Sequence, residues 1–186
     1  MTIVYILLFF IIIYVFSKSV LKRGKTSDIH GHWQHYFEDA QFSSQDIYAR
    51  IEQIVKDKGI PSVQTCRVTH SEGGMLSANR EYLRIARNYV AFDVCAAPFG
   101  KGFFISSWQI ELENPTKNFM ASLPVIGKFI AAGMSGTTYF KIDTEQMYVS
   151  AVHHSILEAI DEIANAAGIR SLTEAERLFQ TRPVIE

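Results

Sequence analysis

Cysteine is scarce in this chain. Only Cys66 and Cys95 occur, too few for a disulfide framework, and a cytosolic domain would keep both reduced. An excess of charge of either sign is also missing: 18 Lys and Arg face 19 Asp and Glu, so no global positive field points to nucleic acid. Internal repeats and low-complexity tracts are absent. So is the H-E-x-x-H zinc signature, and Gly100-Lys101-Gly102 is not a phosphate loop, because it joins two strand-like stretches instead of preceding a helix. The start lacks the parts of a cleaved signal peptide. Only Met1 and Thr2 precede the first apolar run, and Ser17-Lys18-Ser19 is a poor small-x-small site.

What the chain has instead is that apolar run itself, Ile3 to Phe16, followed by the purely basic cluster Lys18, Lys22, Arg23 and Lys25. As helix the run is about 21 Å long, and taken through Leu21 it reaches about 30 Å, the thickness of a hydrocarbon core. Residues 1–21 therefore read as a retained single-pass transmembrane helix, with Lys18 snorkelling to the headgroups. Basic residues favour the cytoplasmic side, so the N-terminus is expected outside and the rest of the chain in the cytoplasm.

Residues 22–42 carry Gly24, Gly31 and three histidines without a lasting apolar period and read as a juxtamembrane tether. From Ser43 a helix is expected, with Ile47, Ile51, Ile54 and Val55 on one face and Gly59 and Pro61 as the stop. Val63 to His70, Glu81 to Arg87, Tyr89 to Ala97 and Phe103 to Glu113 read as strands, the last two joined by a tight turn at Phe99-Gly100-Lys101-Gly102. Thr137 to Ile142 reads as a fifth strand. Asp143 or Thr144 then caps a long helix with Val149, Val152, Ile156, Ile160 and Ile163 on one face, and Leu172 to Phe179 suggests a short final helix. The expected fold is α+β: an antiparallel meander of about five strands against two amphipathic helices, over residues 43–180, with a tail at 181–186.

Within that domain, 117–134 is an apolar insertion broken by Pro124 and Gly127, too short for an ordinary span. Burial as a core helix, a seat in the headgroup region with Lys117 and Lys128 meeting anionic lipid, and a protein-partner surface all fit. Its Phe119, Met120, Leu123, Ile126, Phe129 and Ile130 are candidate membrane or partner contacts, and so are Phe99, Lys101 and Phe103 at the hairpin tip. His30, His32 and His35 are weak candidates for a metal site, since the H-x-H-x-x-H spacing can bring imidazoles together in a turning segment. No cofactor is expected. Cys95 is the one nucleophile with a plausible setting, given a base such as His70 or His153, but a strand cysteine is more often a small packed residue. Asp93, the lone charge in its strand, is expected to pair with Arg84 or Arg87.

The stretch Phe92-Asp93-Val94-Cys95-Ala96-Ala97-Pro98-Phe99-Gly100-Lys101-Gly102-Phe103-Phe104 resembles a group of bacterial proteins in which an F-D-x-C-A-A-P-F-G-x-G-F-F hairpin recurs. Arg80 to Arg84 and Tyr139 to Met147 are also similar to that group. The resemblance implies a bacterial domain, and with the anchor an inner-membrane location; it carries no activity, cofactor or catalytic residue. The reading is of a membrane-anchored, cytosol-facing protein-interaction or accessory-subunit module, not an enzyme. A lipid or amphipathic-ligand binder with 117–134 as its lid is the first alternative, and a thiol-dependent hydrolase using Cys95 the second.

Overall fold

The stretch expected to be a tether is a strand in the interior of a sheet. In the computed structural model, which describes residues 26–71, 79–112 and 138–181, β1 runs over Thr26–Phe37 and pairs antiparallel with a later strand along nearly its whole length. Trp33 and Phe37 are buried on one side of it. The period of two is present at Trp33, His35 and Phe37, but histidine and Gly31 dilute its hydrophobicity. Gly31 is required by packing: a Cβ there would stand 2.5 Å from the Phe179 ring.

The first expected helix forms as α1, Ser44–Asp57, with the Ser43 side chain accepting from the Asp46 N–H at 3.2 Å. The meander follows as β2 (Gln64–Ser71), β3 (Asn79–Arg87), β4 (Val90–Phe99) and β5 (Gly102–Leu112), antiparallel throughout. At the β4–β5 turn only Gly100 has positive φ. Gly102 serves close approach instead, since a Cβ would lie 2.3 Å from the Phe37 carbonyl.

The second long helix, α2, spans Tyr139–Ala166 and starts earlier than expected, capped by Thr138 rather than by Asp143 or Thr144. The β-branched and aromatic run over 137–142 suggested a strand, but its described part, Tyr139 to Ile142, continues a helix whose Tyr148, Val152, Ile156 and Ile160 are buried. No helix forms over Leu172 to Phe179. That segment packs against α2, makes a single turn closed by the Arg177 N–H donating to the Thr173 carbonyl at 3.1 Å, and ends as the two-residue strand β6, Gln180–Thr181, on the outer side of β1.

The sheet order is β2-β3-β4-β5-β1-β6, so the meander gains β1 beside β5 and remains an α+β fold, with two helices among the described residues. Both helices pack on the face carrying Leu83, Ile85, Phe92, Val94, Phe103 and Ile105. Two tyrosines fix them there. Tyr148 donates to the Ile85 carbonyl at 2.8 Å, while Tyr48 donates to the Glu81 carbonyl and accepts from the Ala96 N–H. The β3–β4 ladder runs only as far as Leu83 opposite Val94, so Glu81 and Ala96 lie beyond it and the Tyr48 hydroxyl bridges the opening. Burial pushes that hydroxyl up to about 12, against the Ala96 hydrogen bond that opposes the rise.

No helix among the described residues is long and apolar enough to cross a membrane. The expected anchor, residues 1–21, and the apolar insertion 117–134 both lie outside the described residues.

Candidate functional site

Register places a row of chemically distinct side chains across the sheet face opposite the helices: Cys66, Arg84, Asp93, Trp108 and His32 stand beside one another on β2, β3, β4, β5 and β1. Arg84 and Asp93 are both buried. The guanidinium grips the carboxylate through Nε to Oδ1 at 2.7 Å and Nη2 to Oδ2 at 2.6 Å, and His70 Nε2 lies 3.0 Å from Oδ2. Burial alone would raise the Asp93 carboxyl. The hydrogen bonds from Arg84 and then His70 outweigh it and hold the group below its ordinary value. This arrangement keeps Asp93 ionised and fully engaged, so it suits a structural ion pair better than proton transfer. The expected pairing with Arg84 is thus present, while Arg87 donates elsewhere, to the Pro61 carbonyl.

Cys95 lies on the same face and is 1 % exposed. Burial pushes its thiol up, against the weaker opposing pull of Arg80 and Tyr82, which hydrogen-bond it. His70 is committed to Asp93, and His153 sits on α2 against Trp33 and Phe179 on the helix-covered side. A raised, buried thiol is the reverse of the activated nucleophile that thiol catalysis needs.

The three N-terminal histidines do not converge. His32 stacks on Trp108 at 5.1 Å on the face away from the helices, whereas His35 meets Phe37 at 4.5 Å on the helix side, and His30 pairs with Glu111 at 3.3 Å. Alternation along a strand sends His32 and His35 to opposite faces, which removes the metal reading of H-x-H-x-x-H. Among the described residues no group of His, Cys, Asp or Glu is placed to hold a metal ion.

The hairpin-tip candidates divide. Phe99 is 69 % exposed and Lys101 is exposed, on a turn held by the Tyr36 hydroxyl donating to the Phe99 carbonyl at 3.0 Å. Phe103 belongs to the core. It is 1 % exposed and packs edge-on against Phe42, because the strand alternation turns it under the sheet, so it is corrected from a surface contact to a packing residue. Phe119, Met120, Leu123, Ile126, Phe129 and Ile130 lie outside the described residues.

At the other end of the sheet is a feature the sequence reading missed. Tyr139 and Phe140 are 87 % and 80 % exposed, and Tyr89 and Ile142 are each 42 % exposed. A groove lined by Arg87, Tyr89, Val90, Glu111, Phe140 and Tyr148 brings the β3–β4 turn, the end of β5 and the start of α2 together. The available signal was Thr138 as an N-cap, which puts Tyr139 and Phe140 in a first helical turn, where an exposed pair needs no strand partner. No protein-family profile, curated protein or solved structure matches the chain.

Proposed function

We propose that the chain is a membrane-tethered, cytosol-facing accessory domain that binds a protein partner, and that it performs no catalysis of its own. One observation supports the tether above the rest: Thr26 stands opposite Leu112, so the basic cluster before β1 and the apolar stretch after β5 join the domain at the same end of the sheet. The basic residues Lys18, Lys22, Arg23 and Lys25 favour a cytoplasmic domain and an outer N-terminus. At the far end the exposed Phe99 and Lys101, on a turn braced by Tyr36, offer a rigid contact for a partner. The engaged Asp93 and the buried Cys95 favour binding over chemistry. The space between helices and sheet is filled by Ile47, Ile51, Leu83, Phe92, Ile156 and Ile160, which favours this reading over an enclosed amphipathic-ligand site.

The test is purification from detergent-solubilised membranes. Wild type is expected to bring down a partner in fixed stoichiometry, and Phe99→Ser with Lys101→Glu to lose it while remaining folded and membrane-bound. Loss on deleting 117–134 but not on changing the tip moves the contact to the insertion. If nothing co-purifies in any form, the accessory role fails. Protease added to the outer side of spheroplasts should leave residues 26–181 intact; digestion there reverses the orientation.

A further inference from the structure

Exposed apolar side chains collect at the tethered end, where Tyr89 and Phe140 line one groove and Tyr139 and Ile142 stand beside Phe140 at the start of α2. Tyr139, Phe140, Tyr89 and Ile142 come from two elements, the start of α2 and the β3–β4 turn. They are far more exposed than the aromatic members of the core, Trp33, Phe37, Tyr48, Phe92, Phe103 and Tyr148, which are nearly sealed. Exposed apolar groups gathered at one end are costly in water unless something covers them.

The chain itself indicates what does. The apolar run ending at Phe16 is joined to Thr26 by a stretch that reaches at most about 35 Å when fully extended, so this end cannot stray far from whatever holds the run. Leu112 and Thr138, the two residues between which the second apolar stretch is strung, belong to the same end: Leu112 pairs with Thr26 and its N–H donates to the Tyr89 carbonyl, while Thr138 caps the helix whose Phe140 lines the groove beside Tyr89. Tyrosine suits a boundary layer, having an apolar ring and a hydroxyl that stays wet. Charges at the groove are mixed, Arg87 and Lys141 against Glu111 and Glu145, so attraction to anionic lipid falls to the basic cluster at 18–25 and insertion to the aromatic rings.

We infer that Tyr89, Tyr139, Phe140 and Ile142 seat in the headgroup layer of a bilayer, so that the folded domain itself touches lipid and stands with its Phe99 tip pointing away from the membrane. This rests on the tethered reading and sharpens it. The tip and the seat are separated by the length of the β4–β5 ladder, about 30 Å at ~3.3 Å per residue.

The full chain is reconstituted into vesicles of mixed zwitterionic and anionic phospholipid, with bromine on the upper acyl positions of the lipids. Phe140→Trp and Phe99→Trp are compared, each against wild type, whose own Trp33 and Trp108 give the background. Quenching of Phe140→Trp about twofold or more above that of Phe99→Trp is expected, since interfacial aromatics sit at the depth of those bromines. Equal quenching in protein that still floats with the vesicles overturns the seat and leaves the tether standing. A blue-shifted Phe140→Trp emission that bromine does not quench overturns it in favour of a protein contact. Protein that does not float with vesicles at all overturns the tether, and the seat with it. Because Phe140 is 80 % exposed, its replacement by Trp leaves folding intact.

Discussion

The two faces of the sheet are buried by different physics. On the helix side Leu83, Ile85, Phe92, Val94 and Ile105 are sealed by apolar side chains from α1 and α2, and the stabilisation scales with area removed from water. On the other side the second apolar cluster is small, Ala86, Ala91, Ile110 and Leu112 with Trp108 against it, and its neighbours are an arginine and an aspartate buried as a pair. The first face tolerates changes of shape at a graded cost. The second depends on a buried charge pair, and removing either partner takes away the strongest contact of a charge that water does not reach.

The sharpest way to break this contrast is a pair of variants of similar severity. Phe92→Ala on the helix side should cost about 4 kcal/mol through lost burial and a cavity. Asp93→Ala on the opposite side should also cost about 4 kcal/mol, through loss of the two-point grip on the buried Arg84 guanidinium. Acid separates them. The folded Asp93 carboxyl lies below its unfolded value, so its contribution is present above about pH 3.9 and is lost as pH falls through the folded value. Denaturant titrations should therefore show the Asp93→Ala deficit shrinking in acid while the Phe92→Ala deficit persists. A deficit that stays constant for both would mean that the ion pair does not hold the second face. The double change Arg84→Met with Asp93→Leu should cost less than Asp93→Ala alone.

A smaller effect, about 2 kcal/mol, is expected for Tyr48→Phe. The substitution keeps the ring, over which the Arg67 guanidinium stands 4.9 Å from the centroid, and deletes only the hydroxyl that bridges Glu81 and Ala96. Urea melting should show the loss, with faster amide exchange at Ala96. An unchanged midpoint would show that water repairs the gap between β3 and β4.

How much of this was legible beforehand follows from where each signal is stored. The helix over Ile47 to Val55 and the four strands of the meander carry their periods in adjacent residues, and the Ser43 cap and the Gly100 turn are local chemistry; all are present among the described residues. The pairing of Asp93 with Arg84 was expected because a lone charge in an apolar strand needs a partner. β1 was missed because its burial is non-local. Trp33 and Phe37 become core only when β5 and the C-terminal segment close around them, and Gly31 makes sense only once Phe179 crosses it. The aromatic surface at Tyr139 and Phe140 was missed for the converse reason, since local β propensity at 137–142 outvoted the helix that follows.

The segment from Ile169 to Thr181 supplies a pH test on the helix side. It is held by the Trp33 indole donating to the Glu176 carbonyl at 2.6 Å, by Arg177 bound to Asp161, and by His153 Nε2 at 3.0 Å from the Arg177 carbonyl. Burial lowers the His153 imidazole, outweighing that hydrogen bond, and it lowers His35 as well. His153 Nδ1 is buried with no partner among the described residues, so a second proton there would find no acceptor. An imidazole whose folded value is depressed binds protons more readily when unfolded. Stability is full above about pH 6.5 and declines as pH falls from there toward the folded value. Hydrogen-exchange protection factors over 172–181, corrected for the slower intrinsic exchange in acid, should fall as the pH drops below about 6.5 in wild type and much less in His153→Gln. An equal loss of protection in both would assign the sensitivity to His35.

The smallest effect belongs to Cys95. Replacing it with Ala removes one buried sulfur from the second face and should cost about 1 kcal/mol, the scale of a small cavity. Partner capture and membrane attachment should not change, since the thiol is held protonated by burial and reaches no surface. Alkylation of the native protein should modify the less buried Cys66 first, and Cys95 only after unfolding. Rapid modification of Cys95 in the folded state, with loss of function in Cys95→Ala at unchanged stability, would reverse the comparison between the faces. The buried polar side would then be a reaction site, and the ion pair of Arg84 and Asp93 its scaffold.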